Sequence, residues 1–228
     1  MALLCVSYLC NAQRFLEFTN GSWNNPNLSV ETFDDFVISG FTETDPSTGM
    51  LTPAFKVSNA SGGLINCFYV NYKDAAILMD FTIKEATHSI ILTGMLDVPP
   101  GAMPYKMFVT EVDMITGTLI RSSLEYTYNG TSMIPHQVIY SNASNQVMIV
   151  GTELMGPIDP NNFGFVPKSG FVLALDPLNF NNILYPPIEM NTPGGNWDYD
   201  MLENITDVTG SNYFISGSCN GPSGEQNL

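Results

Sequence analysis

Four short runs of β-branched and aromatic residues, each closed by glycine, constrain this chain more than any other feature. They are Phe36-Val37-Ile38-Ser39-Gly40, Ile90-Ile91-Leu92-Thr93-Gly94, Val147-Met148-Ile149-Val150-Gly151 and Tyr213-Phe214-Ile215-Ser216-Gly217. The closing glycines stand 54, 57 and 66 residues apart and are read as one recurring slot. Runs this short, bounded by Gly, Pro, Asn and Asp, are strands rather than helices. No window of the chain combines helix caps with a 3.6-residue apolar stripe, so the reading is all-β.

The rest of the chain hangs on these runs. After each of the first three comes a strand, an acidic or hydroxyl residue, a short Asn/Thr/Gly turn and another strand. Residues 107–113 lead through Thr116-Gly117 into 118–122, and residues 170–176 lead through 177–180 into 181–185. The first unit repeats this over 53–68 but carries Ser58 where the others carry Asp113 and Asp176. Asp, Ser and Asn suit the turn because their side chains accept from backbone amides just ahead. A further strand precedes each run, at about 28–32, 79–83, 136–141 and 200–204. Four antiparallel strands recurring every 50–60 residues is the pattern of a β-propeller blade rather than of a solenoid turn. The expected units are about 28–78, 79–135, 136–199 and a partial 200–228: three full blades and part of a fourth, in an incomplete ring. Residues 14–19 read as a lone outer strand, and the whole as the N-terminal fragment of a longer protein.

Charge and the chain's start bear on its surroundings. Seven Lys and Arg against 22 Asp and Glu give a net charge of −15. That balance argues against nucleic acid and against anionic membrane surfaces, both of which need a basic face. Residues 2–10 are apolar but too short to span a bilayer, and Cys10-Asn11-Ala12 offers small residues for cleavage before Gln13. Residues 1–12 are therefore read as a truncated signal peptide, and the protein as secreted or on the cell surface. Removal of that segment takes Cys5 and Cys10 with it. Cys67 and Cys219 remain; with no C-x-x-C they form no zinc or redox motif, and both are expected as small buried strand residues.

The blade units resemble the β-propeller repeat proteins secreted by Bacteroidetes-type bacteria. Those repeats read as a strand, an Asn/Asp/Gly turn, an I-V-x-G strand, then F-V-x-x-L-D-x-x-G and a final strand. The nearest copies here are residues 147–152 with 170–176, and 90–95 with 108–117. The resemblance covers roughly residues 14–228 and implies the fold and an extracytoplasmic location. It also implies further domains, including a C-terminal sorting domain, in a longer chain. Kelch proteins are a second comparison, but Gly62-Gly63 and Gly194-Gly195 do not recur at one point of the repeat.

Chemistry is sparse. Gly217-Ser218-Cys219-Asn220-Gly221 matches the outline of a nucleophile elbow, yet Gly217 sits in the slot of the strand-closing glycines and no helix pattern follows. His88 precedes a strand and His136 follows Pro135; neither has metal-ligand spacing. Asp198 and Asp200 with Glu203 offer oxygen ligands for Ca²⁺, the one cofactor these residues suggest. Asp159, Asn161 and Asn162 are a weaker oxygen cluster. Trp23 and Trp197, set among Asn and Gly, suit stacking on sugar rings. No catalytic residue stands out. The expected function is a non-catalytic binding or scaffold module for glycan or protein, without nucleic acid or membrane insertion. The alternative is an extracellular carbohydrate-active hydrolase or lyase, with carboxylates at the propeller channel.

Overall fold

A computed structural model describes residues 29–96, 105–127, 130–154, 167–190, 200–209, 212–220 and 226–227. Its strands form four antiparallel sheets, each built in chain order. The first holds β1 (Ser29–Phe33), β2 (Phe36–Thr44), β3 (Leu51–Asn59) and β4 (Leu64–Tyr69). The second holds β5 (Ala76–Lys84), β6 (Ser89–Leu96), β7 (Lys106–Asp113) and β8 (Leu119–Tyr126). The third holds β9 (Ser132–Ser141), β10 (Gln146–Leu154), β11 (Pro167–Asp176) and β12 (Asn179–Met190). The fourth holds β13 (Asp200–Asp207), β14 (Tyr213–Asn220) and β15 (Gln226–Asn227). Helical structure among the described residues is a single 3₁₀ turn, Glu85–Thr87. The all-β propeller-blade architecture expected from the repeat is what the chain forms, and the glycine-closed runs are the second strand of each sheet.

The runs of the second and third sheets are almost continuously apolar because both of their faces are covered. Ile90 and Leu92 of β6 pack towards the first sheet, with Phe55 and Val57. Ile91, between them, packs towards the third sheet with Val147 and Ile149. The alternation repeats in β10, where Val147 and Ile149 face the second sheet while Met148 and Val150 face Leu202 and Ile205 of the fourth. Each such side chain, fully removed from water, contributes about 2 kcal/mol. The sheets therefore stack face to face, and the core is three successive inter-sheet layers rather than one central cluster. The stack is open: among the described residues, no sheet covers the far faces of the first and fourth sheets.

The glycine has a steric cause. A Cβ on Gly94 would lie 1.9 Å from the carbonyl oxygen of Ile77, and one on Gly151 would lie 2.1 Å from that of Ile134. In each case a phenylalanine of the next strand, Phe108 or Phe171, also closes over the glycine within 2.7 Å. The inner strand bulges at this point, so its backbone presses on the neighbour.

The first sheet departs from this pattern by one residue. Its first hairpin closes with Phe33 opposite Phe36, whereas the second and third close with Lys84 opposite Ser89 and Ser141 opposite Gln146. Counted from the hairpin, the slot of Gly94 and Gly151 is filled by Phe41, not by Gly40. A one-residue slip turns every side chain to the opposite face. Gly40 accordingly meets Phe81 and Leu78 of the second sheet instead of its own inner strand. The slip also resolves the departure at Ser58: Asn59, one residue on, accepts from the amides of Ser61 and Gly63 at 3.1 and 2.7 Å. In the second sheet Asp113 does the same for Ile115 and Thr116 at 3.0 and 2.8 Å.

Among the described residues, Asp34, His88 and Asn145 are the non-glycine residues of positive φ, at 49°, 49° and 51°. All three stand two residues before the apolar run, in the hairpin between first and second strands. His88 is thus a turn residue, with its ring against Phe33. Cys67 corrects an expectation: it is free and exposed, because β4 is an outer strand whose side chain here points away from the apolar layer.

Candidate functional site

The innermost strands β1, β5, β9 and β13 lie side by side where a propeller has its channel, and they carry the site. Three of them bulge at the same place. Met79 has no partner in β6 between Leu78 and Asp80, and His136 has none in β10 between Pro135 and Gln137. Glu203 has none in β14 between Leu202 and Asn204. A bulge re-aims one side chain while leaving the ladder on either side intact. Met79 uses this to fill an apolar pocket formed by Met95, Ile134 and Leu154. His136 and Glu203 instead bring an imidazole and an exposed carboxylate near one another. The imidazole Nε2 lies 2.9 Å from Thr152 Oγ1. Burial pushes the His136 pKa down, and the charge of Glu203 opposes that shift.

The residue after each bulge ties one sheet to the next. Asp80 Oδ2 accepts the backbone N–H of Val138 at 2.9 Å. Gln137 Oε1, at the same position one sheet on, accepts the N–H of Ile205 at 2.6 Å. Ser29 holds the matching position in β1, and its hydroxyl donates to Asp80 Oδ1 at 2.8 Å. Burial raises the Asp80 pKa even though its hydrogen bonds from Val138, Ser29 and the Phe81 amide act the other way. Glu31, also on β1 and solvent-accessible, has its pKa raised by partial burial of its carboxyl and then by the charge of Asp80.

A second buried charge group lies outside the channel, between the second and third sheets. Glu111 is fully buried; its Oε1 accepts from Ser89 Oγ at 2.6 Å and lies 3.6 Å from Lys84 Nζ. Its Oε2 is bonded by Arg121 Nε, and Arg121 Nη1 reaches across to the Leu178 carbonyl at 2.7 Å. Lys84 sits 5.4 Å from the Tyr140 ring centre. Every charge here is paired, so the group acts as an inter-sheet pin.

Of the residues singled out from the sequence, Trp23, Trp197 and Asp198 lie outside the described residues, as do Asp159, Asn161 and Asn162. Asp200 opens β13 opposite Cys219, and its side chain is likewise outside the description. Glu203 lies on β13, the strand expected over 200–204, at the bulge. Among the described residues no three His, Cys, Asp or Glu side chains gather as metal ligands would. Cys219 lies within β14, paired to Asp200 and Asn227, so a strand and not an elbow surrounds it. Glu31, Asp80 and His136 were not among the sequence's site candidates. A signal for the tie position exists: Asp80 and Gln137 each stand 14 residues before a run-closing glycine, and Asn204 stands 13 before.

No protein-family model and no curated protein matches the sequence. Among solved structures, a thermostable family-43 glycoside hydrolase aligns over 86% of this chain and 66% of its own, at 12% identity and a TM-score of 0.48. An ACO/RPE65 chimera aligns over 89% and 49%, at 10% identity and a TM-score of 0.48. The Pyrococcus horikoshii acylaminoacyl peptidase aligns over 88% and 32%, at 13% identity and a TM-score of 0.42. The chain thus spans between about a third and two thirds of the length of these three proteins, and likenesses of this size carry no activity across.

Proposed function

We propose that this protein is a non-catalytic, secreted or cell-surface binding module that takes a glycan or a protein segment at its inner-strand surface. The observation that carries this reading is the commitment of Asp80 to the fold. Both its oxygens hold neighbouring strands, at 2.8 and 2.9 Å, so its carboxyl is engaged in joining sheets. Glu31 and Glu203 are exposed acceptors on the inner strands β1 and β13, suited to the hydroxyls of a sugar or the amides of a peptide. The reading needs no cofactor, and Ca²⁺ at Asp198, Asp200 and Glu203 is an addition to it. The test is a glycan array and a pull-down with the wild-type chain and a Glu31→Gln/Glu203→Gln variant. Retention by the wild type and loss in the variant support it. Turnover of any captured polysaccharide or peptide sinks it.

One observation favours the alternative, an extracellular carbohydrate-active hydrolase or lyase. Glu31 and Asp80 are two interacting carboxyls whose pKa values are both raised, and a general acid needs such a shift. Reducing ends released from a polysaccharide panel, and lost in Asp80→Asn while the fold persists, would establish it. A wild-type protein that releases none removes its support.

A further inference from the structure

Two hydroxyls interrupt the apolar layer between the first and second sheets. Thr110 lies on β7 between Phe108 and Val112, and strand alternation gives all three the face that packs towards the first sheet. The same position in the third sheet holds Leu173: Thr110 stands opposite Leu92 of β6, and Leu173 opposite Ile149 of β10. The blade plan therefore takes an apolar side chain here, and the Thr110 hydroxyl is an addition to it. Tyr72 comes from the connection between β4 and β5. Its ring packs on the same layer, centred 4.6 Å from the ring of Phe108 at a tilt of 46°. Burial pushes the Tyr72 pKa up, and the Thr110 hydroxyl acts in the opposite sense, an influence that needs the two groups adjacent. Yet among the described residues Tyr72 Oη and Thr110 Oγ1 are the buried side-chain atoms without a hydrogen-bond partner, each other included.

We infer that a structural water is bound between Tyr72 Oη and Thr110 Oγ1, and that it joins the β4–β5 connection to the second sheet. An enclosed hydroxyl without a partner destabilises a fold, and here two separate elements each bring one to a single point. Neither side chain is free to turn to the other. The Tyr72 ring is held against Phe108, and Thr110 is β-branched and stiff at χ1. A water between them gives both hydroxyls a partner, and polar groups on more than one side are what an internal water requires. A larger polar ligand from solution does not fit this position, because both oxygens are closed off from solvent. Sealed in the layer, the water exchanges only when the first and second sheets part, so its residence time reports the opening of that seam.

The experiment uses the full chain as wild type, Tyr72→Phe, Thr110→Val, the two combined, and Thr110→Ser. Oxygen-17 relaxation dispersion counts the long-lived internal waters of each protein, and urea denaturation ranks their stabilities. Matching circular dichroism verifies that each variant folds; all four changes are close to isosteric. Wild type and Thr110→Ser are expected to hold one more long-lived water than the double variant. Each of Tyr72→Phe and Thr110→Val is expected to lower the urea midpoint, because it leaves the other hydroxyl enclosed with its bridge gone. The double variant is expected to recover part of that loss, since no hydroxyl is then left behind. Equal water counts in wild type and double variant overturn the inference; joined to lowered midpoints, they indicate a direct bond between the hydroxyls. Raised midpoints in both single variants also overturn it, since they show two hydroxyls that nothing bridges.

Discussion

The carboxylate of Asp80 holds the backbone amide of Val138 at 2.9 Å across the seam between the second and third sheets. At the same position one seam later stands Gln137, a neutral amide doing the same work. Asp80 therefore carries a charge that the tie does not need. Asp80→Asn keeps an acceptor for Val138 and removes a desolvated anion, so it should be neutral or stabilising at pH 7. Asp80→Ala orphans the amide and should cost about 1–3 kcal/mol. Urea denaturation of the two variants against wild type separates these outcomes.

The same charge sets a pH dependence. Asp80 and Glu31 have folded-state pKa values raised above the ordinary carboxylate range, so the folded state holds protons more tightly than the unfolded chain. Their contribution to stability is then greatest below about pH 4 and is lost as pH rises through the raised values. Asp113 and Asp176 have lowered values, from turn hydrogen bonds, and contribute in the opposite sense, losing stability as pH falls. Glu31→Gln should therefore raise the melting temperature at neutral pH and leave it unchanged near pH 3, read by calorimetry at both.

His136 offers a direct spectroscopic check. The chain has two histidines, so its imidazole signals are few enough to assign. Burial lowers the His136 pKa, which makes the fold lose stability as pH drops through about 6.5, where the unfolded imidazole takes up its proton. Glu203 opposes the shift, so Glu203→Gln should lower the His136 pKa further in an NMR titration. A midpoint that does not move shows the two groups to be independent.

Gly94→Ala and Gly151→Ala should be among the most damaging single changes available. Each places a methyl within about van der Waals overlap of a backbone oxygen that cannot rotate away, 1.9 and 2.1 Å from the built Cβ. A loss of about 4 kcal/mol or more belongs to that class of strain. Gly49→Ala, with nothing within 4 Å but a φ of +72°, should cost about 1 kcal/mol. Equal urea midpoints for the three variants would refute the steric account of the repeat.

Glu111→Ala should cost about 3–5 kcal/mol, because it leaves Lys84 buried without its partner. Adding Lys84→Met should recover part of that loss, since the uncompensated cation is then gone. A double-mutant cycle by urea denaturation measures the coupling; additive losses would mean the pair does not interact.

The blade plan was legible because a strand covered on both faces must be apolar without alternation, and Ile90-Ile91-Leu92 and Val147-Met148-Ile149-Val150 are. The glycine gave the repeat its period but misplaced the first copy. Gly40 and Gly94 look alike in sequence, yet one packs on the neighbouring sheet and the other on its own inner strand, a distinction made by a hairpin two residues shorter. The site was less legible for a related reason. A bulge breaks the two-residue period at Met79, His136 and Glu203, so none of the three falls where simple alternation would put it. Glu203 was picked out for its acidic neighbours, while Asp80 stands alone in the sequence and meets Glu31 only through the packing of β1 on β5.

The ties of Asp80 and Gln137 end on main chain, not on a matching side chain. A main-chain amide is present whatever residue follows, so these two ties do not depend on the side chain at the donating position. At these two seams the residue that donates its amide can vary in type, proline excepted, without loss of the tie.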